Sequence, residues 1–417
     1  MSMIRFIHTA DIHFGVENYG RIDPKTGIHT RLLDFEKALN FCIDTAIDKE
    51  VDFFLFSGDA YKTAYPTPTQ QKLLFRCFLR LYNAKIPIVI IVGNHDHPLS
   101  FGKANALDIF SQFPSDGFYV IAQPKTIRVN TKSGPVHIVG IPWPTRNNIS
   151  MNVEQYQKSS TDITDYISSV LATIIQKKAQ ELDPAIPAVL AGHLTVSSGV
   201  FSGSEKRAIY GNDPVLFPSQ LAIQPFDYVA LGHLHRYQNL NPKGHPAVVY
   251  SGSPERIDFG ERKEDKGFCL VTIQDKKNTQ HEFIKTPQRP FIQIELVLDD
   301  KTDQTEQMLN ELKKYRLTNA VVKIIYYVPS SIKDSVDLKI VHKNLHKAHY
   351  VVGIIPRYEM TSRIHRLNSA HTQTNLKELL TTYFENKPAL QKNKTQLIEK
   401  TLQLYQESIE IKEESSS

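Results

Sequence analysis

The sequence predicts an α/β protein built in layers, and two observations carry that expectation. Over the first ~290 residues, short apolar runs alternate with segments of helical period. Five of those runs end alike, on polar residues with ligand or proton-transfer chemistry. That suits strands whose carboxyl ends share one edge of a sheet, where ligands bind in open α/β folds.

The runs are MIRFIHTA (3–10), VDFFLFS (51–57), IPIVIIV (86–92), VHIVGI (136–141), PAVLAG (187–192) and DYVALG (227–232), followed by AVVYSG (247–252) and GFCLVTI (267–273). Between them, residues 31–49 and 67–82 read as amphipathic helices. Leu33, Leu39 and Ile43 share one face of the first, and Leu74, Phe78 and Leu81 one face of the second. Residues 154–181 form a longer helical stretch. FIQIELVL (291–298), a helix near 303–315, AVVKIIYYV (320–328), a second helix near 333–346 and VVGIIPRYE (351–359) then make a small α/β unit. The polar HRLNSAHTQT (365–374) reads as a linker. Beyond it Leu376, Leu379, Leu380, Tyr383 and Phe384, then Leu397, Ile398, Leu402, Tyr405 and Ile409, recur at helical spacing and predict two amphipathic helices. The expected domains are 1–287, 288–364 and 375–417, joined by the linker at 365–374.

At 417 residues the chain is long enough for a sizeable core and two or three domains. Its 41% hydrophobic and 22% charged content is ordinary for a soluble globular protein. A net charge of +5 permits a polyanionic partner without demanding one. Cys42, Cys77 and Cys269 are odd in number, far apart and without a CxxC pair. They argue against a disulfide framework and a thiolate zinc site, and suit a reducing cytoplasm. His8, Asp11 and His13 interrupt the opening MSMIRFIHTADIHF, so it does not read as a signal peptide. No run approaches the roughly 18 apolar residues that span a bilayer. A cytoplasmic protein with no membrane partner is expected.

The strand ends carry the chemistry. The first run leads into Asp11 and His13, the second into Gly58 and Asp59, and the third into Gly93, Asn94, His95 and Asp96. PAVLA leads into Gly192 and His193, and DYVAL into Gly232, His233, Leu234 and His235. Singly, each has a structural reading: Asp59 as a turn residue, Asn94 as a helix cap, His193 as a hydrogen-bonded core histidine. Together, Asp, Asn and His form a hard-to-borderline oxygen and nitrogen set suited to Mn(II), Fe(II), Zn(II) or Mg(II). Asp11, His13, Asp59, Asn94, His193, His233 and His235 are about the number that two metals sharing one carboxylate require. Two metals about 3.5–4 Å apart activate water and neutralise the oxygens of a phosphate ester. The glycine before four of the five groups is expected to let the backbone turn sharply and approach a substrate closely.

The ordered blocks D-x-H, G-D, G-N-H-D, G-H and G-H-x-H resemble the calcineurin-like metallophosphoesterase signature over residues 3 to about 273. Within it, HTADIHFG, SGDAYKTAYPTP, VGNHD, YVALGHLHRYQ and YSGSPERIDFGE look like the SbcD family of bacterial nuclease subunits, relatives of the archaeal and eukaryotic double-strand-break nuclease. The resemblance implies a metallophosphoesterase β-sandwich flanked by helices, a small α/β DNA-binding cap and a C-terminal helical tail that docks on a partner ATPase. It implies Asp11, His13 and His235 on one metal, Asn94, His193 and His233 on the other, and Asp59 bridging. His95 would donate a proton to the leaving 3′ oxygen or stabilise the transition state, and Asp96 would orient His95. The implied cofactor is two divalent ions per chain, Mn(II). The implied activity is DNA exo- and endonuclease action on double-stranded ends or hairpins, in DNA repair, recombination and replication. The implied assembly is a homodimer within a heterotetramer with an SbcC-type ABC ATPase carrying a coiled coil. One position departs from the archaeal and eukaryotic pattern: Lys62 stands where those relatives carry a histidine, three residues after the bridging aspartate.

Lys62, Lys103, Arg146, Arg207, Arg236 and Arg256 lie near the ligand blocks in sequence and are the candidate contacts to the DNA backbone. A small-substrate metallophosphatase or cyclic-nucleotide phosphodiesterase on the same centre is the alternative. The GDAYK block lacks the GDxxDRG pattern of protein Ser/Thr phosphatases. A non-catalytic scaffold is the third reading; such proteins usually lose ligands, and here none is missing.

Overall fold

The computed structural model describes residues 3–98, 103–113, 117–145, 160–203, 213–359, 376–385, 390 and 393–414. Two compact units divide the chain: Met1–Glu295, Met308–Ile325 and Asp337–Ile355 form one, and Leu296–Gln307, Tyr326–Val336 and Pro356–Ser417 the other.

The larger unit contains β1 (Ile4–Thr9), α1 (Thr30–Asp48), β2 (Phe53–Phe56), α2 (Pro68–Asn83), β3 (Ile88–Ile91), α3 (Asp108–Ser111), β4 (Phe118–Ile121), β5 (Lys125–Thr131), β6 (Gly134–Ile141) and α4 (Ser160–Gln180). It continues through β7 (Ala188–His193), β8 (Thr195–Val196), β9 (Val215–Leu216), β10 (Tyr228–Gly232), β11 (Gln238–Asn239), β12 (Ala247–Tyr250), β13 (Gly267–Asp275) and β14 (Asn278–Lys285). Two six-stranded sheets result, ordered β14-β13-β1-β2-β3-β4 and β11-β12-β10-β7-β6-β5.

Alternation along the strands explains the continuous apolar runs. In the first sheet Ile7, Phe54, Phe56, Ile88 and Ile90 pack with Leu39, Cys42 and Phe78 of α1 and α2. Their neighbours Phe6, Phe53, Leu55, Val89 and Ile91 pack with Val189, Ala191, Tyr228 and Ala230 of the second sheet. On the far side Leu190, Val229 and Leu231 meet Ile167, Leu171 and Ile175 of α4. Both faces of each central strand are therefore buried, and a strand buried on both faces reads as unbroken hydrophobicity. This is the sandwich flanked by helices that the resemblance implied. Each large apolar side chain so buried contributes about 1.5–3 kcal/mol, which makes the strand ends a rigid base for a site.

A histidine joins the two sheets. His8 on β1 is buried, and its ring nitrogens lie 3.2 Å from the Tyr228 hydroxyl and 3.2 Å from the Leu231 carbonyl, both on β10. A neutral ring satisfies both: Nε2–H donates to the carbonyl and Nδ1 accepts from the hydroxyl. Burial holds its pKa down to about 3, against the opposing pull of the Leu231 carbonyl.

β15 (Phe291–Val297), β16 (Val321–Val328) and β17 (Tyr350–Tyr358) form a three-stranded sheet in that order, with helices at Gln304–Leu312 and Leu338–Asn344 between them. The second helix begins at Leu338 and not near 333, because Asp337 caps it: its carboxylate accepts the Lys339 and Ile340 N–H groups. Strands β4, β5, β8, β9, β11 and β14 are additions to the sequence reading. β14 buries no residue fully, so it carries little apolar signal.

The helices Leu376–Glu385 and Lys394–Glu414 pack on each other, burying Phe384 and Ile398 and leaving Tyr383, Leu404 and Tyr405 exposed. The expected linker at 365–374 and the start of the helical stretch at 154–159 lie outside the described residues. Among the described residues no helix is long and apolar enough to cross a membrane.

Candidate metal centre

β1, β2, β3, β7 and β10 bring their carboxyl ends to one edge, β1–β3 parallel in one sheet and β7 and β10 parallel in the other. Beyond the strands the backbone turns through left-handed conformations at Asp11 (φ 56), His13 (φ 49), Asp59 (φ 56) and His233 (φ 104). Such conformations cost about 1–3 kcal/mol each in non-glycine residues and persist only where neighbours over-determine them. Here the first two loops are zipped together. Asp11 N–H donates to Gly58 O (2.9 Å), His13 N–H to Asp59 O (3.1 Å) and Phe14 N–H to Ala60 O (2.9 Å).

Gly58 (φ 97) turns the backbone as expected, and two of the glycines also make room within the site. A Cβ at Gly93 would lie 2.1 Å from Asp59 Oδ1, and one at Gly58 2.3 Å from His193 Nδ1. Their missing side chains make room for neighbouring polar side chains of the site.

The candidate ligand atoms gather in two overlapping groups, for Asp11 also lies within reach of Asp59 and His193. Asp11, His13 and His235 form the first, with His13 Nε2 and His235 Nε2 3.0 Å apart. In the second, Asn94 Oδ1 lies 3.0 Å from His193 Nε2 and 3.2 Å from His233 Nδ1. Asp59 stands between them: its Oδ2 is 3.6 Å from His13 Nε2 and 3.3 Å from His193 Nε2, while its Oδ1 accepts the His95 N–H at 2.9 Å. Asn94 caps no helix, and its side-chain oxygen serves the cluster.

The hydrogen bonds test whether a cation fits. His193 Nδ1–H donates to the Ser57 carbonyl at 2.8 Å, so the neutral ring aims the Nε2 lone pair at Asn94 Oδ1 and Asp59 Oδ2, which are also acceptors. Buried acceptors facing one another are unfavourable unless a positive charge sits among them. Atoms held about 2.1 Å from an octahedral ion lie about 3 Å apart, the separation seen within both groups. The residues therefore fit divalent metal ions.

The electrostatics agree. Burial pushes the Asp11 carboxyl up to about 7, despite His193 and His235 nearby. Burial would also raise Asp59, but His193, His95 and His13 hold it well below the usual carboxylate range. His193, which burial alone would depress, is raised to about 9 by Asp59 and Asp11. Without an ion, a proton on His193 is the available counter-charge.

His95 is exposed over this cluster, and its ring lies 4.9 Å from that of His13. The expected partnership with Asp96 is absent. Asp96 Oδ1 accepts the Ala60 and Tyr61 N–H groups (3.0 and 3.1 Å) and Oδ2 the Gly93 N–H (3.1 Å). The buried carboxylate is drawn to three main-chain donors, ties the third loop to the second, and leaves the His95 ring alone. His95 Nδ1 instead faces the main-chain carbonyl of Lys62 at 2.8 Å. Lys62 thus fixes the ring through its backbone, while its own side chain is exposed.

Residues 4–237 match the calcineurin-like phosphoesterase family, more than half of the chain. The chain belongs to that family. It is a metal-dependent phosphoesterase. It is 26% identical over 330 residues to the SbcD subunit of the SbcCD nuclease from Staphylococcus epidermidis, covering 76% of this chain and 79% of that protein. The SbcD subunit of the Escherichia coli nuclease is 27% identical over 311 residues, covering 73% of this chain and 74% of that one. Among solved structures, a dimetal phosphatase from Danio rerio superposes with a TM-score of 0.39 at 9% identity, covering 68% of this phosphoesterase and 99% of that chain.

The basic candidates separate. Arg236 is exposed beside His235, and Lys103 places Nζ 5.6 Å over the exposed Tyr65 ring. Arg146 and Arg207 lie outside the described residues. Arg256 is a correction: its guanidinium donates to the carbonyls of Glu264 (3.0 Å), Arg289 (3.1 Å) and Glu261 (3.4 Å). Three of its five N–H donors are spent on the protein's own backbone, which favours a structural role over a phosphate contact.

Three side chains at this phosphoesterase site escaped the sequence reading. Trp143 packs against His233, with ring centroids 4.8 Å apart. Asp213 Oδ2 lies 3.7 Å from His233 Nε2. Glu261 Oε1 lies 2.9 Å from His235 Nδ1, and its Oε2 2.8 Å from Lys266 Nζ. Burial would raise Glu261, but Lys266 and His235 hold it down to about 2. The DFGE block containing Glu261 was visible, yet nothing in its spacing pointed 26 residues back to His235.

Proposed function

We propose that this chain is an SbcD-like, Mn(II)-dependent DNA exo- and endonuclease subunit that hydrolyses phosphodiester bonds at double-stranded ends and hairpins with an SbcC-type ABC ATPase. The observation that carries the reading is Asp59 Oδ2 between His13 and His193, one nitrogen from each group, the placement a bridging carboxylate needs. Asp11, His13 and His235 would hold one ion, Asn94, His193 and His233 the other, and Asp59 both. Ions bound there would supply a water-derived nucleophile and offset the phosphate charge.

The remaining work falls to the chain's own residues. With Nδ1–H donating to the Lys62 carbonyl, His95 turns Nε2 towards the substrate side, where in its protonated form it donates to the leaving 3′ oxygen. Asp96 positions His95 indirectly, by holding the loop that carries it against residues 60–61. The exposed Lys62, Lys103 and Arg236 suit contacts to a DNA backbone. Similarity over about three-quarters of the chain to nuclease subunits favours DNA over a small phosphate ester.

In this reading 1–287 is the nuclease domain, 288–364 the DNA-binding cap, 365–374 a linker and 375–417 the segment that docks on the ATPase, with two nuclease chains in a heterotetramer. The test pairs end-labelled duplex DNA and an aryl phosphomonoester, each with Mn(II), with and without the ATPase and ATP. DNA degradation that depends on Mn(II) and on Asp59 is expected. Turnover of the monoester with intact DNA would replace the nuclease by a small-substrate phosphatase.

A further inference from the structure

The strap following β12 holds a buried charge pair that the metal reading leaves unused. Glu261 and Lys266 are 0% and 1% exposed, as deep as the apolar core. Glu261 Oε2 receives Lys266 Nζ at 2.8 Å and the Ile257 N–H at 2.9 Å, while Oε1 faces His235 Nδ1 at 2.9 Å. Lys266 Nζ also donates to the main-chain carbonyl of His235 at 2.8 Å. The circuit closes on one residue: the carboxylate grips the ring of His235 and the ammonium grips its backbone.

Stability alone does not account for this. Removing two charges from water is expensive, and an apolar pair of similar shape often serves a fold as well or better. The pair is instead aimed at one imidazole. We propose that Glu261 and Lys266 are positioning residues that fix His235 in the Nδ1–H tautomer and make its Nε2 a stronger donor to the metal it shares with Asp11 and His13. This inference rests on the two-metal reading above and deepens it. An ionised carboxylate on the far nitrogen raises the basicity of a metal-bound histidine. In the other group His193 has the neutral Ser57 carbonyl behind it, and His233 has the Asp213 carboxylate at the longer distance of 3.7 Å, so the carboxylate on His235 is the closer and fully buried one. Lys266 Nζ occupies the other carboxylate oxygen, which leaves Oε1 to face His235.

The bland competitor is a brace that merely holds the strap at residues 255–266. Full-length Glu261→Gln and the double variant E261Q/K266M separate the two. Glutamine keeps an acceptor oxygen but loses the charge, and methionine removes the ammonium that would otherwise be stranded. Mn(II) binding, followed by the electron paramagnetic resonance of free Mn(II), is compared with thermal melting in chelator. The expected result is a folded double variant in which one Mn(II) position weakens about 10–100-fold and the other is unchanged. A folded double variant that binds both ions as wild type does, or weakens both equally, overturns the positioning role and leaves a brace. Should both variants fail to fold, nitrogen-15 spectra of the metal-free wild-type histidines still decide: a proton found on His235 Nε2 and not Nδ1 overturns the proposal. A wild-type chain that binds no Mn(II) at all would remove the metal reading and this inference with it.

Discussion

If the proposed roles hold, His95→Asn should separate proton transfer from metal binding, because of how His95 is held. Its main-chain hydrogen bond to the cluster, N–H to Asp59 Oδ1 at 2.9 Å, is kept by asparagine. The ring is exposed and makes one hydrogen bond, to the Lys62 carbonyl. Removing it strands no buried group, so folding stability should move by no more than about 0.5 kcal/mol. A positioned general acid is worth roughly 10²–10⁴ in rate, or about 2.7–5.5 kcal/mol of barrier at 1.36 kcal/mol per decade. The assay is cleavage of end-labelled duplex DNA with Mn(II), run beside Mn(II) binding on the same preparations. Asparagine should lower the rate by two to four decades (roughly, from the same range) with both ions bound. A different outcome is built into the geometry: His13, Asp59 and His95 also offer three donor atoms close enough to share an ion. If His95→Asn loses an ion, His95 is a ligand and the proton-donor role falls. If it cleaves at close to the wild-type rate, the ring has no chemical part.

The neighbouring residue should fail differently. Asn94→Ala removes the oxygen common to His193 and His233, and Mn(II) binding should weaken by an order of magnitude or more, comparable with the loss of supporting contacts at metal sites; unchanged binding of two ions would exclude Asn94 from the centre. At the sheet seam, His8 titrates near 3 when folded and near 6.5 when unfolded, so between those values the unfolded chain holds the extra proton. Stability contributed by His8 is therefore complete above 6.5 and lost as pH falls towards 3, by up to about 1.4 kcal/mol per pH unit. His8→Gln, which still offers a donor and an acceptor, should flatten that slope in denaturant titrations at pH 5 and 7 in chelator; parallel slopes in the two proteins would refute it. Among the basic residues, Arg236→Ala should weaken DNA binding and lower its salt dependence by about one phosphate contact. Arg256→Ala should instead cost about 1–3 kcal/mol of stability by orphaning its carbonyl partners, and a pure DNA-binding defect there would reverse that assignment.

The central strands were legible because burial on both faces leaves no polar alternation to confuse them, and the ligand blocks because each follows such a strand directly. β5 and β14 end their sheets and are half exposed, so they carry little apolar signal. Contacts that depend on direction were harder. The resemblance implied that Asp96 orients its neighbour His95, but the carboxylate finds three backbone donors instead. Arg256 is close to the site in sequence too, yet an arginine that burial removes from water must satisfy its donors locally. Glu261, Lys266 and Asp213 reach the centre only through tertiary folding, and a single sequence holds no sign of that.

The division of donors between the sheets decides what the centre does for the fold. Asp11, His13, Asp59 and Asn94 come from the ends of β1, β2 and β3 in one sheet, and His193, His233 and His235 from β7 and β10 in the other. Neither candidate ion site can be assembled from one sheet alone. Each group needs the two sheets brought together at the same edge, and the His8 contacts to Tyr228 and Leu231 join them within the sandwich, on the strand that leads to Asp11. A sandwich whose sheets slid by one residue would keep its apolar core in part, but it would separate His13 from His235 and Asn94 from His193. The left-handed turns at Asp11, Asp59 and His233 sit just past strand ends that the core fixes, where neighbouring contacts can hold such conformations. Binding at the centre thus reads out the alignment of the two sheets, which is why a layered α/β sandwich, and not a single sheet, carries it.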